Sequence, residues 1–306
     1  MFIDFSDRIY TRLGNYKGKF YSLLRLSFRV LFSYFAEIYF LLFPSNLVRL
    51  PEVDEEELIV SLTSFPLRIA KVWIVVECLL RQSLLPNKII LTLAKSQFPN
   101  QKADLPRNLK RYINRNQLTV LFVDDDLRSH KKYFYSFQES PEAAIVLVDD
   151  DIFYPSNILQ DLYVLHKKYP KTIIAHRSYD VKRNFKGNLC PYNDWKYSRS
   201  YELPLKNVFH TSGAGTLYKP KWFDRELFNV QLIKSLCFNA DDVWLNIHAQ
   251  RCDIPTVKTS YNSLLLPVVR VKDVKLKSLN KDENLNDMQI KNVIEYYNLN
   301  QDKVFV

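Results

Sequence analysis

Two places in this sequence gather carboxylates in patterns that can do chemistry. Asp149-Asp-Asp151 follows the apolar run Ala144–Val148, and Asp241-Asp242 stands within Asn239-Ala-Asp-Asp-Val-Trp-Leu-Asn-Ile-His248. Three adjacent carboxylates repel one another, so an uncompensated cluster costs stability. A bound divalent cation resolves the repulsion: Asp149 and Asp151, spaced Asp-x-Asp, can both reach one Mn2+ or Mg2+ and leave coordination positions for diphosphate oxygens. Such an ion neutralises a leaving group as charge develops on it. The structural alternative is a solvated turn or a helix N-cap. A second acidic run, Asp124-Asp-Asp126, is open to the same two readings, and for it the turn is preferred. The flanks favour Asp149–Asp151, because a clean buried strand precedes it and Tyr154-Pro155 opens a helix after it. At the other place, one of Asp241 and Asp242 is expected to be the N-cap of a helix, leaving the other to face a cleft. The helix dipole there favours the ionised acid and weakens it as a base.

The elements that must position these acids are legible as alternating runs. Leu58–Leu62, Lys88–Leu93, Leu118–Val123, Ala144–Val148 and Thr172–Ala175 read as strands. Helices are expected over Arg68–Gln82, Leu105–Asn114, His130–Glu139 and Ser156–Tyr169. Strands rich in Val, Ile and Leu without alternation are buried on both faces, which means a parallel sheet with helices on either side. In such sheets a ligand sits beyond the carboxyl ends of the strands, where both Thr63-Ser-Phe-Pro-Leu-Arg68 and the acidic runs fall.

Composition closes off other chemistries. The five glycines leave none between Gly18 and Gly187, so that stretch holds no P-loop and no GxGxxG turn. A net charge of +10 favours anionic partners, but no nucleic-acid-binding signature accompanies it. The four cysteines, Cys78, Cys190, Cys237 and Cys252, form no CxxC pair, which argues against a zinc site or disulfide framework and suits a reducing cytosol.

Residues 1–50 carry seven basic residues against three acids, and Val30–Phe43 is apolar or aromatic apart from Ser33 and Glu37. Fourteen residues fall short of the roughly 20 that span a bilayer. Leu23, Leu24, Leu26, Val30, Leu31, Tyr34, Phe35, Ile38 and Leu42 recur at helical spacing, which suits a helix lying in a membrane interface with Arg25 and Arg29 toward anionic lipid. Packing on the protein's own core is the alternative. Residues 51–57 read as an acidic linker, 58–180 as the nucleotide-binding half, 181–270 as the acceptor half, and 271–306 as a basic stretch and terminal helix.

The acceptor half is less periodic. Asn188, Tyr192, Asn193, Asp194, Trp195, Tyr197 and Tyr201 suit sugar binding and equally suit a surface loop. Gly213-Ala-Gly215 allows close backbone approach, to a donor sugar or acceptor or within a bulge. Trp244 either lines an acceptor site or is core. His210 and His248 read as structural histidines or as completing a metal shell. The basic stretch 270–281 reads as a solvated face or a phosphate contact.

In order, Val60-Ser-Leu-Thr-Ser-Phe-Pro-Leu-Arg-Ile69, Val148-Asp-Asp-Asp-Ile-Phe-Tyr-Pro155, Gly213-Ala-Gly-Thr-Leu-Tyr218 and Ala240-Asp-Asp-Val-Trp244 resemble bacterial GT-A-fold glycosyltransferases. The nearest kind is the family-two-like enzymes of capsular and exopolysaccharide assembly. The resemblance covers about residues 58–260. It implies a Rossmann-like α/β sheet, a nucleotide-diphosphate sugar donor (a UDP-sugar by preference), a Mn2+ or Mg2+ ion on Asp149 and Asp151, and transfer to a saccharide or lipid-linked acceptor. It places Asp149 and Asp150, with Thr63, Ser64, Pro66 and Arg68, at the donor nucleotide. Lys131 and Lys132 match a basic pair near the diphosphate, or are solvated. Asp241 or Asp242, with Asp242 preferred, would be the base of an inverting displacement. The expected location is the cytoplasmic face of the cell membrane. The rivals are a sugar-phosphate nucleotidyltransferase, whose usual glycine-rich first loop Thr63–Arg68 lacks, and a non-catalytic membrane scaffold.

Overall fold

The computed structural model describes residues 2–47, 49–53, 55–198, 202–269, 285–300 and 304–306. The five expected strands form within one residue of their sequence bounds: β1 (Leu58–Thr63), β2 (Lys88–Ala94), β3 (Thr119–Val123), β4 (Ala144–Val148) and β5 (Ile173–Ala175). β1 lies between β2 and β4 and is parallel to both, and β3 runs parallel to β2 at the edge. β5 is parallel to β10 (Thr256–Lys258) at the other edge. Between β4 and β5 lies β9 (Ala214–Tyr218), antiparallel to both, so the order is β10-β5-β9-β4-β1-β2-β3. The protein is therefore α/β with a mostly parallel sheet flanked by helices, as expected. A small antiparallel sheet sets β6 (Ser178–Asp180) between β7 (Lys196–Tyr197) and β8 (Val208–His210).

Successive residues of a strand point to opposite faces, and here both faces are covered. Leu58, Val60, Leu62, Val146 and Val148 enter one apolar cluster with α3 (Val72–Leu79), α4 (Arg107–Asn114) and α6 (Ile158–Lys168). Ile59, Ile145 and Leu147 enter the other, against α5 (Lys131–Glu139), α7 (Val230–Leu236), α8 (Asp241–Arg251) and α9 (Leu285–Tyr296). The helix expected over Arg68–Gln82 needs correcting. It is a 3-10 turn, Ile69–Lys71, followed by α3, and every residue of α3 is buried. Its outward side is not solvated because the amino-terminal segment lies on it.

That segment is a helical hairpin, α1 (Phe2–Gly14) and α2 (Lys19–Leu42), reversed through Gly18 at φ +117°. One side of it packs on the protein. Phe32 meets Phe153 at 5.1 Å between ring centroids, and Ser33 Oγ accepts a bond from Val269 N at 3.1 Å. Glu77, wholly buried on α3, accepts from Ser45 N at 3.0 Å and Tyr112 Oη at 2.7 Å and pairs with Arg81. Asp7 accepts from Tyr261 Oη, Ser263 Oγ and Leu266 N, stitching α1 to the chain after β10. The other side is open. Phe20, Leu23, Leu31, Phe35, Ile38 and Leu42 are all more than half exposed. Internal packing and an exposed apolar face thus coexist on the same hairpin. Among the described residues no helix is long and apolar enough to cross a membrane. Residues 51–57 are not a free linker either, since Glu56 pairs with His166, Lys167 and Lys219.

Candidate active site

The site starts where β4 ends. The pairing of β4 with β9 shifts register between Leu147, opposite Thr216, and Val148, opposite Ala214, so Gly215 is the extra residue of a bulge at φ +93°. A bulge turns the strand, and here it brings Gly213 beneath Asp149. Asp149 N donates to Gly213 O at 3.0 Å, and a Cβ on Gly213 would lie 2.0 Å from the Asp149 carboxyl atoms. The close approach this glycine allows is by the chain's own aspartate. Buried Tyr154 locks the turn, donating from its hydroxyl to Gly213 O and accepting from Asp149 N. Ala214 is buried within β9.

Facing Asp149 is Lys132, in the first turn of α5 and almost wholly buried. Ser61 Oγ of β1 donates to its carbonyl at 2.6 Å and so holds that turn on the sheet. The Lys132 ammonium lies 2.9 Å from Asp149 Oδ1 and 3.1 Å from Asp241 Oδ2. A cation at a helix amino terminus opposes the helix dipole, and two carboxylates more than offset that. Neither Asp241 nor Asp242 is the N-cap of α8, contrary to expectation. Ala240 holds that position and caps nothing with its side chain, while both acids sit in the first turn. They are drawn aside by Ser212, whose hydroxyl is 2.8 Å from Asp241 Oδ2 and 2.7 Å from Asp242 Oδ1, and whose N–H donates to Asp242 Oδ1 at 2.7 Å.

The two acids are driven apart in acidity. Burial would raise Asp241, but the neighbouring Lys132 ammonium overrides it and holds the group well below the usual carboxylate range. Asp242 is raised to about 6, by burial and then by the Asp241 charge. The depression expected from the helix dipole is overridden at Asp242, where burial and a like charge outweigh a partial dipole.

The donor-loop residues are partly assembled. Ser64 Oγ donates to Asp150 Oδ2 at 2.5 Å, and Arg68 reaches Asp150 Oδ1 at 3.0 Å and Asp151 Oδ2 at 3.3 Å. Asp150 is turned inward, while the side chains of Asp149 and Asp151 keep 37% and 29% of their surface exposed. Thr63 Oγ1 is spent on Thr92 O, and Pro66 is exposed in the turn. Two partly exposed carboxylates on one turn fit a hard cation that keeps several waters and takes phosphate oxygens. Among the described residues no group of three or more His, Cys, Asp or Glu is placed to hold a metal. The other acidic run is a structural turn: Asp124, Asp125 and Asp126 pair with Lys95, Lys234 and Lys131 in that order. Lys131 therefore faces away from the site.

Other expected residues lie elsewhere. Trp244 is wholly buried and donates from Nε1 to Leu227 O, and Trp195 is 5% exposed among Tyr192, Phe209 and Phe305. Neither ring has a free face for a sugar, which corrects the acceptor-binding expectation for both. His210 and His248 are buried structural histidines, bonded to Thr256 Oγ1 and Arg251. Tyr201 and residues 270–281 lie outside the described residues. The sequence reading missed three site residues, Tyr154, Ser212 and Arg177. Arg177 follows β5 by two residues, and the strand-end rule applied to β5 would have found it. Ser212 offered no signal beyond its place before Gly213.

No protein-family model matches the chain, and no curated protein matches it. Among solved structures it is similar to S. aureus TarS, at TM-score 0.38 and 12% identity over 66% of this chain and 35% of that one. It is also similar to a 4-diphosphocytidyl-2C-methyl-D-erythritol synthase, at TM-score 0.41 and 10% identity over 76% of this chain and 99% of that one. A third is the mannosyltransferase PcManGT from Pyrobaculum calidifontis in complex with GDP-Man and Mn2+, at TM-score 0.44 and 14% identity over 95% and 76%. The chain thus spans about a third of TarS. Likeness this remote does not reach to chemistry, which the side chains must supply.

Replacing Lys132 with Met leaves the buried Asp241 and the partly exposed Asp149 without their shared cation; breaking a fully buried pair on one side costs about 3–5 kcal/mol, and solvent at Asp149 brings the expected loss to the lower end of that range. Urea unfolding at neutral pH should show that loss for Lys132→Met. Asp149 and Asp241 have lowered folded values, so the stabilisation is present above the unfolded value near 4 and is lost as pH falls through the folded ones. The stabilities of variant and wild type should therefore converge in acid.

Proposed function

We propose that this protein is a metal-dependent glycosyltransferase that moves a sugar from a nucleotide-diphosphate donor, a UDP-sugar by preference, to a saccharide or lipid-linked acceptor in surface polysaccharide or glycolipid assembly. The observation that carries this reading is the meeting of Asp149, Asp241 and Asp242 on Lys132 and Ser212, at the carboxyl end of a mostly parallel sheet. Asp242 is the base. It is partly exposed and its pKa is raised toward neutrality, which makes its carboxylate a better proton acceptor, as proton abstraction from a hydroxyl requires. The acceptor O–H proton passes to the Asp242 carboxylate, the acceptor oxygen bonds to the anomeric carbon, and the bond from that carbon to the diphosphate breaks with its electron pair on the nucleotide. The configuration inverts. Asp241, held ionised by Lys132, sustains the raised value of Asp242. Thr63, Ser64, Pro66, Arg68 and Asp150 form the donor end. Mn2+ or Mg2+ on Asp149 and Asp151, when bound, supplies neutralisation of the leaving diphosphate. For the acceptor, Tyr197 replaces the two tryptophans: its ring is 48% exposed and stacks on Tyr179 at 4.6 Å.

The open face of the α1–α2 hairpin fits an anionic lipid surface. Exposed Lys17 and Lys19 stand at the hairpin turn beside exposed Phe20, and Tyr16, stacked on Tyr21, lies next to them in sequence. Apolar insertion and lipid-headgroup attraction then act on one surface.

Thermal unfolding across UDP-, GDP- and dTDP-sugars should show stabilisation by one nucleotide class that depends on Mn2+ and is lost in Asp151→Asn. No stabilisation by any of them would reject the reading, and pyrophosphate release from a nucleoside triphosphate would favour the nucleotidyltransferase instead. The rate of transfer should rise with pH through about 6 as Asp242 loses its proton, and Asp242→Asn should remove that limb together with about 10²-fold or more of the rate. In flotation with vesicles, the protein should bind bilayers rich in anionic lipid more than zwitterionic ones. Leu31→Glu and Phe20→Glu, at outward positions, should release it without changing its thermal stability.

A further inference from the structure

Three cations of this neighbourhood are saturated: Lys132 by Asp149 and Asp241, Arg68 by Asp150 and Asp151, and Lys131 by Asp126. Arg177 is different. It lies partly buried on the turn between β5 and β6, within electrostatic reach of Asp149, Asp242, Tyr179 and Tyr197. No carboxylate among the described residues lies at ion-pair distance from it, and the one hydrogen bond of its side chain there is from Nε to Thr211 Oγ1 at 2.8 Å. An arginine that only balanced the acidic cluster would sit on one of its carboxylates, as Lys132 and Arg68 do. This one is held away from them.

The restraint is built into the backbone. Thr211 N donates to Arg177 O at 3.1 Å, His176 N donates to Gly215 O at 2.9 Å, and Ser178 is paired with His210 across the small sheet. Thr211 is itself fixed, since its carbonyl accepts from Thr216 Oγ1 at 2.9 Å. The Nε bond fixes the plane of the guanidinium and leaves both Nη groups to a ligand. A planar fork of donors with a fixed orientation matches an oxyanion that accepts two parallel bonds.

Resting on the glycosyltransferase reading, we propose that Arg177 is the oxyanion fork of the cleft, binding a phosphate group of a substrate through Nη1 and Nη2. The phosphate belongs either to the donor diphosphate or to an acidic acceptor, and the fork is within electrostatic reach of both Asp149 and Asp242.

Calorimetry on the full chain separates these sources. The probes are UDP with Mn2+, uridine, and inorganic phosphate added to UDP-saturated protein, each with wild type, Arg177→Gln and Arg177→Lys. Loss of a charged bidentate contact is expected to weaken the affected probe about 10- to 100-fold. Weaker UDP binding with uridine unchanged assigns the fork to the donor diphosphate. Unchanged UDP binding with loss of the phosphate isotherm assigns it to an acidic acceptor. In either case Arg177→Lys should recover only part of the affinity, because an ammonium supplies charge without the fork. Thr211→Val, which keeps the arginine and removes its orienting partner, should weaken the same probe to a smaller extent, and it serves if Arg177→Gln does not fold. Retention of all three isotherms in Arg177→Gln, or in Thr211→Val where that variant stands in for it, overturns the proposal. Wild-type protein that ignores UDP but binds phosphate through Arg177 would reject the sugar-nucleotide reading and leave the fork standing.

Discussion

The Lys132 ammonium, out of solvent and shared by Asp149 and Asp241, is the contact on which the site depends. It joins three elements far apart in sequence: the end of β4, the start of α5 and the start of α8. Taking a lysine out of water at a helix amino terminus is doubly unfavourable, from desolvation and from the helix dipole. Two carboxylates at about 3 Å compensate, and neither alone would serve both to neutralise the charge and to hold the two acidic turns together. The geometry has a chemical consequence. Because Lys132 stabilises the ionised form of Asp241, that charge persists, and it is the fixed Asp241 charge that adds to burial in keeping the neighbouring Asp242 proton-avid. One cation sets one acid low and, through it, the other high.

The segment Thr211-Ser212-Gly213 does for the other half of the cleft what Lys132 does for the first. Thr211 orients the Arg177 guanidinium, Ser212 gathers the two acids of α8, and Gly213 makes room for the carboxylate of Asp149. All three lie between β8 and β9, and their placement depends on β9 entering the sheet antiparallel between β4 and β5. With no antiparallel strand there, the chain after β8 would not pass beside the end of β4. The bulge at Gly215 then sets how near it passes.

This dependence explains which parts were legible in sequence. The parallel strands declare themselves as unbroken Val, Ile and Leu runs, since burial on both faces removes any need for polar alternation. Asp149–Asp151 and Asp241–Asp242 stood out because clustered acids demand compensation wherever they occur. What was not legible is long-range. The glycines of Val208–Tyr218 read as lying after a strand, whereas they lie between and within two strands in two sheets, and nothing local says that the second inserts into the main sheet. The buried tryptophans mislead for a related reason: an aromatic ring suits a sugar and a core alike, and only burial decides, with Trp244 wholly enclosed and bonded through Nε1 to Leu227 O, and Trp195 closed in by Phe209 and Phe305. Arg177 and Ser212 belong to residue types that are usually surface filler, and their importance comes from what the fold places opposite them.

The two triple-aspartate turns make the same point in physical terms. Asp124–Asp126 and Asp149–Asp151 have the same composition and both follow an apolar strand. β3 is an edge strand, and two of its acids lie in solvent: Asp124 and Asp125 keep 86% and 53% of their side-chain surface and each takes a lysine from the surface around it, while Asp126 is partly buried on the buried Lys131. β4 is interior, flanked by β1 and β9, and its turn is enclosed by α5, α8 and the chain at Val268, whose N–H donates to Asp151 O at 2.8 Å. Behind that turn Phe153 packs on Phe32 of the hairpin at 5.1 Å between ring centroids, so the interior acidic turn and the amino-terminal helices share one core, which the edge turn after β3 does not.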